Sequence, residues 1–344
     1  MGTAFAIIGC RHGHIEKFIR EMLELGNRCA GIYEVEEPSL AKAFAEKHRI
    51  PLVDDVDTLM NRLEVTIIGT SAVNNEKIDL IELCEKYGKH IMLDKPLVTS
   101  REGLGRLESV LDRNRIQVGM LLTSRERSSL FTLKQNIEEG YLGELVSITM
   151  RKPHKLSPSA RAPWHFSKEH NGGIIVDLLI HDFDILRWLT GREVRQVSSV
   201  MAKNILPEYP DFYDTATVQV IMEGSLVAQL YTDWHTPEQC WAFGDCRIFV
   251  TGTKGSAELR LFGDPAVEMD ELMFAMTHQE KFHRVDLVKA PVTVIEDFLD
   301  RIDGRPHFIT HQDLLLASRG VLDADERAVL LNNFKGGEED VESG

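Results

Sequence analysis

The chain has 344 residues, 43% of them hydrophobic and 27% charged, with a formal net charge of -15 at neutral pH. That length points to two domains, and the acidic balance argues against nucleic acid as a general partner, because phosphate backbones call for a basic field. No apolar stretch approaches the roughly 20 residues that span a bilayer, so no membrane partner is expected.

In chain order, Ala4 to Ile8 reads as a buried strand and Ile15 to Leu25 as a helix closed by Gly26. Cys29 to Tyr33 is a second strand, helices follow over Leu40 to His48 and Asp57 to Leu63, and Val65 to Ile68 is a third strand. A helix over Lys77 to Tyr87, a strand over His90 to Leu93, a helix over Arg101 to Arg113 and a strand over Ile116 to Leu121 complete the first part. Strands alternating with helices through short connections predict a parallel sheet covered on both faces, with ligands bound at the carboxyl ends of its strands. After about residue 122 the rhythm changes. A helix over Ser129 to Glu139 and a strand over Leu145 to Arg151 precede a buried helix from Ile174 to Leu189. Extended runs follow over Val194 to Ala202, Thr215 to Met222, Leu226 to Thr232, Arg247 to Thr251 and Ser256 to Leu261, with Gly224 and Gly255 where hairpin turns belong. Val292 to Ile302 and Gln312 to Leu331 read as a last helical pair.

The expected architecture is therefore α/β: a dinucleotide-binding domain over residues 1–122, then an α+β domain with a largely antiparallel sheet over 123–334. The acidic end, 335–344, is expected to be disordered. Five cysteines without paired spacing, and a start without a signal peptide, read as a reduced, cytoplasmic protein.

Gly9-Cys10-Arg11-His12-Gly13-His14 follows the first strand and opens the first helix. A dinucleotide fold places its G-x-G-x-x-G turn there, so that backbone amides and the helix N-terminus receive the pyrophosphate. Gly9 fits the first glycine, Arg11 takes the place of the second and His14 that of the third. A side chain at Arg11 either obstructs the pyrophosphate or grips it through the guanidinium. Glu34, at the end of the second strand, suits the acid that accepts hydrogen bonds from ribose hydroxyls and repels a 2′-phosphate, which favours NAD over NADP. The alternative is an ordinary surface glutamate beside Glu36 and Glu37.

Asn171-Gly172-Gly173 leads into the helix from Ile174, whose apolar surface is interrupted by Asp177, His181 and Asp184. Spaced i, i+4 and i+7, these groups fall on one face, and burying them is costly unless they are paired or used. A structural Asp–His pair, a catalytic group and half of a metal site are the three readings. No H-x-H, H-E-x-x-H or C-x-x-C nearby supplies further ligands, so no metal is expected.

Asp94-Lys95-Pro96 follows the strand His90 to Leu93, at the carboxyl edge where a nicotinamide would lie. At this point the chain resembles the Gfo/Idh/MocA oxidoreductase family, which includes glucose–fructose oxidoreductase and inositol dehydrogenase. Gly88-Lys89-His90-Ile91-Met92-Leu93-Asp94-Lys95-Pro96 is similar to that family's Glu-Lys-Pro motif with Asp for Glu, and Gly172-Gly173…Asp177…His181…Asp184 to its second motif. Gly140-Tyr141-Leu142-Gly143-Glu144 and Thr251-Gly252-Thr253-Lys254-Gly255 are weaker echoes. The resemblance implies a Rossmann domain and an α/β domain for substrate and oligomerisation, whose open sheet joins subunits into a dimer or tetramer. It also implies NAD(P)-dependent oxidation or reduction of a sugar or cyclitol hydroxyl, with Lys95, Asp177 and His181 as the catalytic set. The family's Thr-Pro…His pattern reads here Thr70-Ser71…Asn75. The expected cofactor contacts are thus Gly9, Arg11, His12, Gly13, His14, Glu34, Thr70, Asn75, Asp94 and Lys95.

The chemistry is coherent on its own terms. Oxidising a secondary alcohol removes the hydroxyl proton as hydride leaves carbon, and an imidazole such as His181 accepts protons near neutral pH. Asp177 orients that imidazole or meets the substrate, and a partly desolvated Lys95 stabilises the developing alkoxide. Arg151, Lys152, His154, Lys155, Arg161 and His165 form a basic run before the polar helix. Facing a cleft, that run favours a sugar acid or phosphorylated polyol; facing water, it is a solvated loop. Arg161, Trp164 and His165 join Lys95, Asp177 and His181 as expected substrate contacts, and Tyr213, Asp214 and His235 are further candidates. Two rival readings are a hydrolase or lyase that uses NAD transiently, and a non-catalytic dinucleotide sensor.

Overall fold

The structure is a computed structural model and describes residues 3–267 and 269–334; the acidic end expected to be disordered over 335–344 lies outside them. The chain divides into two compact units that are not contiguous in sequence. The first runs up to Leu122 and adds Glu169–Gly172 and Thr293–Ser318; the second comprises Thr123–Lys168, Gly173–Val292 and the chain from Arg319 on.

The first unit alternates β1 (Ala4–Cys10), α1 (Ile15–Glu24), β2 (Arg28–Tyr33), α2 (Ser39–His48), α3 (Val56–Met60), β3 (Val65–Ser71), α4 (Lys77–Tyr87), β4 (His90–Leu93), α5 (Arg101–Arg113) and β5 (Val118–Met120). Its strands form one sheet in the order β2-β1-β3-β4-β5, every neighbouring pair parallel. β1 reads AFAIIGC and is buried almost throughout, because a parallel sheet covered on both faces needs a continuous apolar run rather than an alternating one. The direction of chain progress reverses at β1, which has β2 on one side and β3 on the other. Sheets of this kind bind ligands beyond the carboxyl ends of the strands at such a reversal.

From Thr123 onward the elements are α6 (Ser128–Glu138), β6 (Leu145–Pro153), α7 (Lys168–Asn171), α8 (Gly173–Leu178), α9 (Ile180–Thr190), β7 (Val194–Lys203), β8 (Thr215–Met222), β9 (Val227–Asp233), β10 (Arg247–Gly252), β11 (Gly255–Arg260), β12 (Leu272–Thr277), β13 (His283–Arg284), α10 (Val294–Ile302), α11 (His311–Glu326) and β14 (Ala328–Asn332). The strands form a nine-stranded sheet, ordered β13-β12-β11-β10-β6-β9-β8-β7-β14. Neighbours are antiparallel except β6 with β9 and β7 with β14. β8 shows why one face is covered and one open: Ala216, Val218, Val220 and Met222 are buried while Thr217, Gln219 and Ile221 point outward.

β12 and β13 are not among the expected strands, and two expected helices differ. The helix expected from Ile174 to Leu189 is broken at Leu179 into α8 and α9. Lys152 Nζ donates to the Leu178 carbonyl at 3.0 Å and to Asp182 Oδ2 at 2.8 Å, and the Asp182 amide turns instead to the Leu179 carbonyl at 3.0 Å. A side chain has entered the helical ladder, which is one of the few causes of a sharp kink. The helix expected from Gln312 to Leu331 stops at Glu326, and Ala328-Val329-Leu330-Leu331 pairs in parallel with β7. An aliphatic run beside an open sheet edge satisfies its backbone there more readily than by prolonging a helix.

The segment Thr293–Ser318 completes the first unit. Ile295 and Phe298 of α10 enter its core beside Phe5, Phe18, Ile19 and Met22. β5 is the edge strand, and side chains cap its outward groups: the Val118 amide donates to His311 Nε2 at 3.1 Å, and Arg301 donates to the Val118 carbonyl at 2.5 Å. Burial, reinforced by the Arg301 charge, pushes the His311 imidazole down to about 4. The unfolded chain takes up that proton near 6.5, so between these values it binds more protons than the folded chain, and stability falls as pH falls. The loss should approach about 3 kcal/mol by pH ~4. His311→Gln offers an amide oxygen to Val118 without titrating, so urea midpoints measured against pH should lose this component of the acid slope.

Candidate functional site

In the first unit the turn after β1 is closely built. Gly9 has φ +81°, and a Cβ there would meet Ala72 Cβ at 2.8 Å and Thr70 Oγ1 at 3.0 Å, so only glycine fits. Glu34 is drawn into the turn: one carboxylate oxygen accepts the Cys10 amide at 2.9 Å and the other accepts the Glu36 amide at 3.0 Å. The Arg11 amide donates to the Ser71 carbonyl at 3.0 Å. Its guanidinium pairs with Glu36 at 2.6 Å and Glu37 at 3.3 Å, which turns it toward the acidic loop after β2. Gly13 and His14 then lead directly into α1, whose N-terminal turn is suited to an anion.

Lys95 is held from several sides. Its amide donates to Asp94 Oδ1 at 2.8 Å, and the fully buried Lys77 donates to the carbonyls of Asp94 and Lys95 at 2.9 and 3.1 Å and to Asn74 Oδ1 at 2.9 Å. The peptide bond between Lys95 and Pro96 is cis. Asp94 is itself buried, and both its oxygens meet imidazoles, His12 Nδ1 and His14 Nδ1, each at 3.0 Å. Burial alone would raise this carboxyl, but His14, His12 and Lys77 outweigh it and hold it well below the usual range. Thr70 joins the same neighbourhood, its carbonyl accepting the Asp94 amide at 2.9 Å and its hydroxyl the Ala72 amide at 3.0 Å. Asn75 lies in the 3-10 turn Asn74–Glu76, its side-chain oxygen buried with no hydrogen-bond partner among the described residues. The first unit thus brings together Gly9, His12, His14, Thr70, Asp94 and Lys95, while the Arg11 guanidinium pairs with Glu36 and Glu37, and Glu34 accepts the Cys10 and Glu36 amides.

Asn171, Gly172 and Gly173 carry the chain into α8, which belongs to the second unit, the two glycines at φ +97° and +84°. Asp177 is buried on α8; His181 follows beyond the kink on α9, lining a cavity of about 20 Å³ with Lys152 and Asp182. Asp184 stands apart from them chemically. It accepts a bidentate pair from Arg125, Nε at 2.9 Å and the terminal nitrogen at 2.5 Å, both side chains essentially sealed from solvent. Of the three polar groups read on one helix face, Asp184 is the structural one.

The basic run does not form one patch. Arg151 and Lys152 alternate along β6: Arg151 lies over the Tyr231 ring at 5.2 Å, while Lys152 turns inward to Asp182. Arg161 feels the polar helix: burial lowers its pKa and the Asp177 charge opposes that shift. Its guanidinium donates to the carbonyls of Leu156 at 2.5 Å and Lys155 at 3.3 Å and sits 4.5 Å over the Trp234 ring. Trp164 and His165 stack with ring centroids 3.7 Å apart. The Trp164 indole nitrogen is buried with no hydrogen-bond partner among the described residues. Asp214 is buried and accepts from Asn204, Ile205 and His235, the last at 2.8 Å, which makes that pair a brace for the Asn204 turn.

Sequence reasoning missed Lys77 and Arg125, and it named Ser71 and Lys152 without the contacts they make. A lysine opening a helix and an arginine in a connecting turn carry no spacing signal; only the fold reveals that they are buried.

A parallel sheet with a glycine turn at its reversal, followed by a nine-stranded mixed sheet, defines a dinucleotide-binding oxidoreductase architecture. The oxidoreductase family model with an NAD-binding Rossmann fold matches residues 3–120, and the GFO/IDH/MocA C-terminal domain model matches residues 131–258. Together they cover most of the chain, which belongs to the Gfo/Idh/MocA family. It is 26% identical over 260 residues to inositol 2-dehydrogenase of Rhizobium meliloti, covering 74% of this chain and 75% of that one. It is 24% identical over 259 residues to the uncharacterized oxidoreductase YrbE of Bacillus subtilis, covering 74% and 72%. The solved structure of levoglucosan dehydrogenase in complex with NADH superposes with a TM-score of 0.79 at 17% identity, over 95% of this chain and 96% of that one, a likeness of fold. Among the described residues no helix is long and apolar enough to cross a membrane.

Proposed function

We propose that this chain is an NAD-dependent dehydrogenase of a secondary hydroxyl on a cyclitol, sugar or sugar acid, using Lys95, Asp177 and His181. The observation that carries the reading is the anchoring of Lys95: its amide and carbonyl are both tied down, by Asp94 and Lys77, directly after β4. A lysine whose backbone is fixed in this way sets the point from which its ammonium reaches developing negative charge. The turn suits a dinucleotide, since α1 begins immediately beyond it and its N-terminal amides face that end of the sheet. When bound, the nicotinamide accepts the hydride that leaves the substrate carbon. His181 takes the hydroxyl proton, Asp177 holds the imidazole or a neighbouring hydroxyl, and Lys95 stabilises the alkoxide. Arg161, Trp164 and His165 provide the substrate's further contacts.

Glu34 sets the preference for NAD over NADP. Glu34→Ala should weaken NAD binding by about 10-fold and relax the discrimination against NADP, as read by titrating both nucleotides. An unaltered preference would remove Glu34 from that role. The open face of the nine-stranded sheet, where Val200, Ile221 and Phe249 are exposed, joins subunits into a homo-oligomer. A panel of cyclitols, aldoses and sugar acids, each offered with NAD, tests the function. NADH should accumulate with at least one of them; product formed without NADH would favour transient redox, and nucleotide binding without turnover a sensor.

A further inference from the structure

We propose that His12, His14 and Asp94 form a divalent-metal site of borderline first-row character, suited to Zn²⁺ or Co²⁺, with two imidazole nitrogens and one carboxylate as ligands. The three donor atoms lie within 4.8 Å of one another, and each imidazole Nδ1 is 3.0 Å from its Asp94 oxygen. Zinc–ligand bonds of about 2.0–2.1 Å place the donors of a tetrahedron about 3.3–3.4 Å apart, so the imidazole–carboxylate contacts need open by only a few tenths of an ångström to admit an ion. The two rings meet edge to face, centroids 4.1 Å apart, and do not stack.

The surroundings support the ligands as a metal site requires. Asp94 Oδ1 also accepts the Lys95 amide at 2.8 Å, and the backbone of His12 is gripped by the Ser71 hydroxyl, which donates to its carbonyl at 2.8 Å and accepts its amide at 3.3 Å. Outer contacts of this kind orient first ligands and raise affinity. The carboxylate forms a buried floor while the His14 side chain is 55% exposed, so an ion has an entry path and room to keep water as further ligands. Two imidazoles select against Mg²⁺ and Ca²⁺, which take oxygen ligands. His12-Gly13-His14 is an H-x-H that departs from the glycine turn, and Asp94 departs from the Glu-Lys-Pro motif. The two departures meet at this cluster. Ligating nitrogens hold the ion in their deprotonated form, so binding releases any proton they carry.

The ligands lie in the turn expected to meet the nucleotide, and Asp94 also takes the Lys95 amide, so the test is run without nucleotide and reads metal binding alone. Metal-stripped protein is titrated with Co²⁺ alone, following ligand-field absorption and heat. One equivalent should bind, displaceable by Zn²⁺. His14→Ala and Asp94→Asn should each weaken binding on the order of 100-fold or more. His235→Ala, at the imidazole–carboxylate pair with Asp214, should leave it unchanged. Paramagnetic broadening by Co²⁺ in the unsubstituted protein gives the same answer without relying on a variant's folding, and should centre on His12 and His14. The proposal fails if no Co²⁺ binds, if binding survives His14→Ala, if His235→Ala removes it, or if broadening centres elsewhere.

Discussion

Lys95→Ala is expected to lower turnover by about 10²–10³-fold while nucleotide binding is kept within a few-fold. The backbone around Lys95 is held by bonds that the side chain does not make: Asp94 takes its amide and Lys77 its carbonyl. Truncation therefore removes the ammonium and leaves the turn in place. A group acting only on charge that develops in the transition state should depress kcat and kcat/KM together, and steady-state kinetics beside nucleotide titration would show it. Unchanged kcat would take Lys95 out of the mechanism. A matching loss of nucleotide affinity would make it a cofactor contact.

Arg125→Met should cost about 3–5 kcal/mol of stability, because it strands the Asp184 carboxylate in a sealed interior. Arg125 and Asp184 are bidentate partners, and the Arg125 guanidinium lies 5.8 Å from the Trp188 ring. Replacing both charges by apolar side chains, Arg125→Met with Asp184→Leu, should recover much of the loss, since neither ion is then left alone. Urea unfolding of the single and the double variant checks this. A cost below ~1 kcal/mol for Arg125→Met would show that water reaches the pair.

Much of the first unit was legible because a parallel sheet imposes continuous apolar runs: β1 to β5 and the helices between them fall within a few residues of their expected places. The nucleotide turn was equally legible, since Gly9, β1 and α1 follow in order. What the sequence concealed was partnership. Asp177, His181 and Asp184 share a spacing, yet the third is paired to an arginine far away in sequence, and no periodicity records that pairing. The kink at Leu179 has the same origin, arising from Lys152 on a distant strand. α10 was visible as a helix, but its membership in the first unit was not, because an amphipathic face says that it is buried without saying against what. The H-x-H in the turn was absorbed into the dinucleotide motif, and only the approach of Asp94 gives it a second meaning.

Transfer of deuterium is the most direct test of hydride chemistry by this chain. A substrate found in the panel, deuterated at the carbon bearing the reacting hydroxyl, is incubated with NAD and the nucleotide product is analysed by mass spectrometry. One deuterium should appear on the nicotinamide ring for each product formed, and Lys95→Ala and His181→Ala should each slow its appearance. Product accumulating with no deuterium on the nicotinamide, or at the same rate in both variants, would contradict the account.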